Sequence, residues 1–389
     1  MKISTLVAIV FAGAWSFLSA HGEPAEPAAI DSSAYVFTYF VGNGEDGLHL
    51  LLSRDGLTWH PVNEGRAVFN AQVGSQRLMR DPCAIRGPDG RFHLVWTTGW
   101  KGLDIGYAHS PDLIHWGGHK CIAISRPGMW DSARVGAGGA PIRYADAVVI
   151  AADGRMYFTD ATRRFSPREL GTFDASVLDI LEHSCTGRVL VYETAAARAS
   201  LVVGGLCFPN GVALSGDERH LFIAETGEYR IWKVAVAARG LDARSALASG
   251  YARARVIASN LPGFPDNLTR SADGRLWTGL TKPRAAAIDR MASTPWLRSL
   301  TLRLPKTLWP VPPTYGHVIA FDEDGRVVSD LQDPAGRLAE TSGVTEHGGR
   351  LYVHSLHAPA FGILDAAAAG LPAAGSPEDL EAVQGPAQQ

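Results

Sequence analysis

Three side chains raise the first chemical question: Asn210 in Cys207-Phe208-Pro209-Asn210-Gly211, and Asp266 with Asn267 in Pro262-Gly263-Phe264-Pro265-Asp266-Asn267. Each is a compact oxygen donor beside glycine or proline, just ahead of an apolar run. Hard cations such as calcium take several carboxylate and amide oxygens supplied from separate segments of chain. Asn-Gly and Asp-Asn also build ordinary turns, because their side chains bond nearby backbone. Such turns become a site only if the surrounding elements bring these positions to one place.

A repeated phrase supplies those elements: an Asp-Gly turn or close variant, a charged residue, then a short alternating apolar strand. It reads Asp89-Gly90-Arg91-Phe92-His93-Leu94-Val95-Trp96, Asp153-Gly154-Arg155-Met156-Tyr157-Phe158 and Asp217-Glu218-Arg219-His220-Leu221-Phe222-Ile223. It returns as Asp273-Gly274-Arg275-Leu276-Trp277 and Gly348-Gly349-Arg350-Leu351-Tyr352-Val353, with partner strands at 188–192, 229–234 and 317–321. Hairpins of this kind, repeated at spacings of tens of residues, predict an all-β fold, a β-propeller. Loops entering the innermost strands line the centre of a propeller, and Asn210 and Asp266 are expected in them. The stretch 285–313 breaks the rhythm with an Ala-rich, partly helical piece and a Pro-rich run. It predicts a short insertion that covers one propeller face or packs on the surface.

The length of 389 residues allows one large domain or two ordinary ones. A net charge of -3 and no basic run with interleaved aromatics exclude a nucleic-acid partner. At the N-terminus, Lys2, the apolar stretch Leu6 to Leu18 and small residues around Ser19, Ala20 and Gly22 predict a secretory signal peptide over 1–22. A Pro/Ala linker follows over 23–34. The expected location is secreted or periplasmic, and an uncleaved membrane anchor is the alternative; no other segment is able to span a bilayer. Export permits disulfides. The cysteines Cys83, Cys121, Cys185 and Cys207 show no CxxC zinc spacing. Cys83–Cys121 is the candidate bridge, with buried free thiols as the other reading. Residues 366–389 are Ala/Pro/Gly-rich and predict a disordered tail. A small-molecule substrate is the expected partner, and the oligomeric state is left open.

Seven phrases between 144 and 365 carry a resemblance. They are Tyr144-Ala145-Asp146, Tyr157-Phe158-Thr159-Asp160-Ala161, Pro209-Asn210-Gly211-Val212-Ala213-Leu214-Ser215, Ala224-Glu225-Thr226-Gly227, Leu261-Pro262-Gly263-Phe264-Pro265-Asp266-Asn267, Leu331-Gln332-Asp333-Pro334 and Val344-Thr345-Glu346-His347. This region resembles the strictosidine synthase-like proteins and their paraoxonase and gluconolactonase-type relatives. The resemblance implies a six-bladed propeller of four-stranded blades, of which this region supplies the last four. It also implies a Ca2+ site held by Asp146, Asn210, Asp266 and Asn267. There the cation polarises a lactone or ester carbonyl or acidifies a bound water, and Asp266 doubles as the catalytic base. Asn267-Leu268-Thr269 is formally a glycosylation sequon, discounted because the same Asn lies in the implied site.

Two departures stand against a full transfer. The metal-dependent relatives take a further carboxylate from the first blade, for which Glu45, Asp46 or Asp81 are the available substitutes. The catalytic glutamate of the plant Pictet–Spengler enzyme corresponds to Ser342, with Glu340 nearby but out of register. Strictosidine formation is therefore not expected.

Residues 35–119 resemble instead the opening of arabinanase/xylosidase-type glycoside hydrolases. The phrases include Tyr39-Phe40-Val41-Gly42-Asn43-Gly44-Glu45-Asp46-Gly47, Ser53-Arg54-Asp55-Gly56-Leu57-Thr58-Trp59, Met79-Arg80-Asp81-Pro82, and Ser110-Pro111-Asp112-Leu113-Ile114-His115-Trp116. In that resemblance Asp81 is the sugar-hydrolase-type carboxylate. Glycoside hydrolysis needs a second flanking carboxylate, which comes from a later blade that this chain does not share. Glycosidase activity is not expected, and Trp96 and Trp100 are read as core before sugar platform. The switch falls in a Gly-rich junction over 120–143. It implies a hybrid ring of two glycosidase-like and four strictosidine synthase-like blades, or an incomplete one.

The leading expectation is a secreted, metal-dependent hydrolase of lactones or esters. The alternative is a non-catalytic propeller that binds a ligand or protein, or an inactive hybrid. His354 and His357 lie near the expected mouth, as proton carriers or as structural histidines. His317, His347 and Glu225 stay outside the core site.

Overall fold

The computed structural model describes residues 6–9, 34–42, 44–74, 76–87, 89–99, 104–123, 142–193, 198–250, 252–309, 312–358 and 361–371. They form two compact units divided between Ile124 and Ser125. Six mainly antiparallel sheets are the blades of a six-bladed β-propeller, two in the first unit and four in the second.

In the first unit, one sheet runs Leu6–Ile9, Ala34–Tyr39, His49–Ser53 and His60–Pro61. The next runs Arg80–Arg86, Phe92–Thr97, Asp104–Ser110 and Gly117–Ala123. In the second unit the third sheet is Ala145–Ile150, Met156–Asp160, Gly187–Glu193 and Arg198–Leu206, with Leu241–Asp242 added in parallel. The fourth is Pro209–Leu214, His220–Glu225, Arg230–Ala235 and Ala254–Ala258. The fifth is Gly263–Arg270, Leu276–Pro283, Gly316–Phe321 and Val327–Asp333. The sixth has three strands among the described residues, Thr341–His347, Arg350–Ser355 and Gly362–Asp365.

The repeated phrase is the turn from first to second strand in the second to sixth sheets. Gly90, Gly154 and Gly274 take φ of 77°, 81° and 93° there, which only glycine adopts freely. Between sheets of one unit the alternating residues interleave. Tyr157, Val189 and Val191 pack with Val212, Leu221 and Trp232; Phe222 and Ile231 with Leu268, Leu276 and Phe321; Trp277 and Val318 with Val344, Leu351 and Val353. In the first unit, Val36, Leu48 and Leu50 pack with Met79, Phe92, Leu94 and Trp96. Trp96 is thus core, edge-on to Phe69 at 5.7 Å, while Trp100 lies outside the described residues. The two Ser-x-Asp phrases of this unit close turns. Asp55 accepts from the backbone N–H groups of Leu57 and Thr58, and Asp112 from those of Ile114 and His115. Those bonds hold both carboxyls well below the usual carboxylate range.

Several sequence expectations can be set beside these elements. The bridge is Cys185–Cys207, while Cys83 and Cys121 are free thiols. Cys83 and Cys121 lie on the first and last strands of one sheet, three strand spacings of nearly 5 Å apart. Cys185 and Cys207 flank the paired residues Gly187 and Leu206, where the chain ends meet. The insertion at 285–313 holds helices Ala286–Ala292 and Pro295–Thr301, and a second helix, Thr172–Glu182, interrupts the third sheet where the sequence reading has only strands. Ordered chain extends past the expected start of the tail, since Ala366 and Leu371 are buried in the last core cluster; 372–389 lie outside the described residues. Leu6–Ile9, inside the expected leader, pairs with Ala34–Tyr39; the rest of the leader, the linker to residue 33 and 124–141 of the junction lie outside the described residues.

Buried carboxylates tie strands together. Glu346 on the sixth sheet accepts from Ser271 Oγ, Arg275 Nη2 and Trp277 Nε1 at 2.7, 2.7 and 3.1 Å, all from the fifth. Its side chain is 5% exposed. Removing it leaves Arg275 paired only with the half-exposed Asp273 and takes the acceptor from Ser271 and Trp277, at a cost of about 1–3 kcal/mol for each buried group left unpaired. Glu346→Ala is therefore expected to lower the thermal midpoint sharply, whereas an exposed control such as Glu64→Ala stays near wild type. Differential scanning calorimetry on both checks this, and equal midpoints would remove Glu346 from the fold's supports.

Candidate metal centre

Asn210, Asp266 and Asn267 were expected in loops ahead of strands; the structure places them within the innermost strands, at irregular steps. The register between Pro209–Leu214 and its neighbour shifts between Pro209 and Val212. That of Gly263–Arg270 shifts between Pro265 and Leu268. A bulge bends a strand and re-aims the side chain it carries, so both strands turn polar residues out of the alternating pattern. Asp146 lies in the first strand of the third sheet, Ala145–Ile150. The three strands are successive innermost strands of one unit.

Two backbones meet at Gly211. A β-carbon there would stand 2.4 Å from Leu268 N, 2.5 Å from Asp266 O and 2.7 Å from the Asn267 carbonyl carbon. Only glycine permits that approach. Threonines bridge the same neighbours: Thr159 Oγ1 donates to Asn210 O at 2.8 Å, and Thr226 Oγ1 to Pro265 O at 2.6 Å.

The result is a short hydrogen bond from Asn210 Nδ2 to Asp266 Oδ1. Asn210 and Asp266 are 7% and 6% exposed. Their other oxygens, Asn210 Oδ1 and Asp266 Oδ2, are buried with no hydrogen-bond partner. Burial and the nearby charge of Asp146 push the Asp266 carboxyl well above the usual range, against the bonds from Asn210 and the Asn267 N–H. Asp146 keeps solvent access; crowding by the surrounding protein pushes its carboxyl up, to about 7, a shift that the water at its exposed side tempers. The Tyr144 phenol is raised by burial first, then by Asp146 and Asp266. Two crowded carboxyls and two orphaned buried oxygens are what a hard cation would satisfy, so the residues present fit one.

The structure thus brings Asp146, Asn210 and Asp266 together. Asn267 is half-buried and faces Gly343, whose added β-carbon would lie 3.5 Å from Asn267 Cβ and 3.8 Å from His354 Nδ1. His354 therefore borders the same place. Its Nε2 lies 3.3 Å from Thr345 Oγ1, and burial lowers its pKa to about 4, so the ring is neutral. Tyr144 and the permissive Gly211 and Gly343 are the residues that sequence reasoning did not draw into the site, while the sequence reading has His354 at its mouth, as a proton carrier or a structural histidine. The phrase Tyr144-Ala145-Asp146 held one signal, and the glycine directly after Asn210 another.

The remaining candidates have surroundings of their own. Asp46 pairs with His49 at 2.9 Å inside the first unit, Glu45 is exposed, and the side chain of Asp81 lies outside the described residues. Glu225 is fully buried and accepts from Cys207 N at 2.7 Å, Arg230 Nε at 2.5 Å and Trp232 Nε1 at 2.5 Å, a structural tie. His317 is held by Asp330 at 2.8 Å. Ser342 is buried. Glu340 instead pairs with Lys282 and His357, at the wall of an apolar cavity of about 140 Å³ lined by Ile180, Phe264, Ile288, Trp309 and Leu356. The insertion and the helix Thr172–Glu182 both contribute to that wall.

Both resemblances are found on comparison with known proteins. The family model "Strictosidine synthase" matches residues 146–238, and "Probable glycosyl hydrolase domain" matches 31–141. An adipocyte plasma membrane-associated protein of Danio rerio is 32% identical over 58% of this chain and 53% of its own length. A strictosidine synthase-like protein of Arabidopsis thaliana is 31% identical over 58% of each chain. The chain thus spans little more than half the length of the curated relatives it matches. Among solved structures, a gluconolactonase from Xanthomonas campestris aligns over 86% of this chain and 90% of its own, with 16% identity and a TM-score of 0.45. No helix among the described residues is long and apolar enough to cross a membrane.

Two outcomes follow from the geometry. Gly211→Ala forces the two inner strands apart; it is expected to cost about 1–3 kcal/mol and to weaken cation binding more than its stability loss explains, read by calcium titration of the folded variant. The second concerns pH. A carboxyl raised from 3.8 to about 7 favours the fold while protonated, a contribution present below about pH 4 and lost as pH rises through about 7. The metal-free protein is therefore expected to melt at lower temperature as pH rises across that window. Calcium affinity should climb over the same window, because the ion displaces a proton. Melting curves in chelator and in calcium, with Asp146→Asn as control, test it; pH-independent curves would refute it.

Proposed function

We propose that this protein is a secreted, calcium-dependent hydrolase of lactones or esters, working at Asp146, Asn210, Asp266 and Asn267. The observation that carries the reading is the pair of buried oxygens, Asn210 Oδ1 and Asp266 Oδ2, left without donors beside a second raised carboxyl. When bound, calcium would supply a Lewis acid that polarises a carbonyl oxygen or acidifies a water. Asn210 and Asp266 hold their oxygens fixed through their mutual bond, so little reorganisation is needed at the moment of reaction. In this reading Asp266 also serves as the base that takes a proton from water. His354, neutral at physiological pH, is able to accept one at Nδ1. The apolar cavity shares the strand Gly263–Arg270 with Asp266 through Phe264, which favours substrates with an apolar acyl or aryl portion. Export rests on the leader pattern over 1–22.

A binding role without turnover is the second reading. At the cavity wall Lys282 and Glu340 pair as opposite charges and His357 bonds the same carboxylate, which suits retention of a ligand as well as reaction.

The test is a panel of lactones and aryl esters assayed with calcium and with chelator. Calcium-dependent turnover is expected, and Asp266→Ala should lower kcat/KM by about 10²- to 10³-fold, the scale of losing one preorganised electrostatic group. Turnover unchanged by chelator and by Asp266→Ala would sink the hydrolase assignment. Calcium binding without turnover would establish the binding role.

A further inference from the structure

We propose a second, redox-gated cation site in the second unit, formed by His183, Cys185, Cys207 and Glu228, that takes a zinc-class divalent ion when the Cys185–Cys207 disulfide is reduced. One ligand atom from each of the four lies within 4.8 Å of every other. His183 Nε2 stands 2.8 Å from Glu228 Oε1. Cys207 Sγ stands 3.5 Å from Glu228 Oε1 and 4.0 Å from His183 Nε2. A tetrahedral zinc with bonds of about 2.0–2.3 Å separates its ligand atoms by roughly 3.3–3.8 Å. The unbonded pairs already bracket that range, and only the sulfur–sulfur bond has to open.

Three segments hold the set. His183 closes the helix Thr172–Glu182 with a left-handed φ of 58°, its N–H bonded to Asp179 O at 2.8 Å. Cys185, at φ 53°, precedes the strand Gly187–Glu193. Cys207 follows Arg198–Leu206, and Glu228 ends the turn Thr226–Glu228. Gly227 presses that turn onto Cys207; a β-carbon there would stand 2.9 Å from Cys207 O. The sulfurs are shielded, at 8% and 5% residue exposure, while the His183 and Glu228 side chains are 22% and 32% exposed and leave a way in for an ion. Arg230 Nη1 sits 3.8 Å from Glu228 Oε2, so the other carboxylate oxygen remains turned to the cluster. The cation beyond it offsets the excess negative charge of two thiolates and a carboxylate on a divalent ion. Thiolate, imidazole and carboxylate together suit zinc better than a hard cation.

The chemistry balances with a dithiol reductant. The disulfide takes two electrons and two protons, the dithiol becomes its own disulfide, and the entering ion then displaces the two thiol protons. Cys207 leads directly into Pro209 and Asn210, so opening the bridge acts at the entry of the strand that carries Asn210.

The test uses the full chain with Cys83→Ser and Cys121→Ser, reduced, freed of reductant and titrated anaerobically with Co2+ and then Zn2+. Expected is thiolate-to-cobalt charge-transfer absorption that saturates at one equivalent, is displaced by zinc and is absent from the oxidised protein. The axial oxygen site cannot produce that signal. His183→Gln and Glu228→Gln keep both sulfurs; each should weaken zinc binding by at least the roughly 10- to 100-fold that even an outer partner of a metal ligand commands. If reduction loosens the fold, zinc should raise the thermal midpoint of the reduced parent and not that of His183→Gln. Absence of both the cobalt band and the zinc-dependent shift overturns the proposal, as does zinc binding of equal strength in parent, His183→Gln and Glu228→Gln.

Discussion

The contact on which the rest of the site depends is backbone against backbone at Gly211. There the strand Pro209–Leu214 lies so near Gly263–Arg270 that any β-carbon would overlap Asp266 O and Leu268 N. The approach brings Asn210 within hydrogen-bonding reach of Asp266 and buries both. Gly279 repeats the arrangement against Thr341, Ser342 and Gly343 one sheet further on. In this unit side chains cement neighbouring sheets at their outer ends, while glycine lets main chains touch at the inner end. The glycine beside each polar residue is therefore as much part of the site as the residue that would bind.

Around that contact the unit uses buried carboxylates in structure as well as in the candidate site, and hydrogen-bond satisfaction separates Asp266 from three of them, while Asp179 on the helix Thr172–Glu182 also has an unpartnered oxygen. Glu225 and Glu346 each have three donors. Asp160 is held by Arg188 at 2.9 Å and by the Tyr144 and Arg143 N–H groups. Asp266 has an oxygen with nothing opposite it. A buried acceptor without a donor costs on the order of 1–3 kcal/mol, which packing elsewhere must offset. The first three would be severely disturbed by a cation; the last would be relieved by one.

Much of this was legible in the sequence, and the exceptions have physical causes. The Asp-Gly phrases announced the blades because a turn with positive φ leaves a strong compositional mark. Asn210 and Asp266 were legible as candidates, but their position inside bulged strands was not, since a bulge is set by the neighbouring strand. The disulfide stayed open because nearness in sequence is a poor guide within a sheet, and of the two readings for Cys83 and Cys121 the free thiols hold. Cys83 and Cys121 share a sheet and stand at its opposite edges, while Cys185 and Cys207 meet where two paired strands end. The helix Thr172–Glu182 left a trace in Phe173, Val177 and Ile180–Leu181, at helical spacing, which the surrounding strand rhythm obscured.

The two carboxyls would also couple the binding of a cation to folding. Two carboxylates held near each other repel, and the buried Asp266 also resists ionisation for lack of water. Without a cation the chain relieves that strain by keeping protons, as the raised Asp146 and Asp266 carboxyls record. A bound dication replaces those protons with a charge fixed in position, and the orphaned amide oxygen of Asn210 gains a partner at the same step. The ion would thus act on three strands at once, from Ala145–Ile150, Pro209–Leu214 and Gly263–Arg270. Its affinity would be expressed partly as chemistry at one carbonyl and partly as cohesion between neighbouring blades.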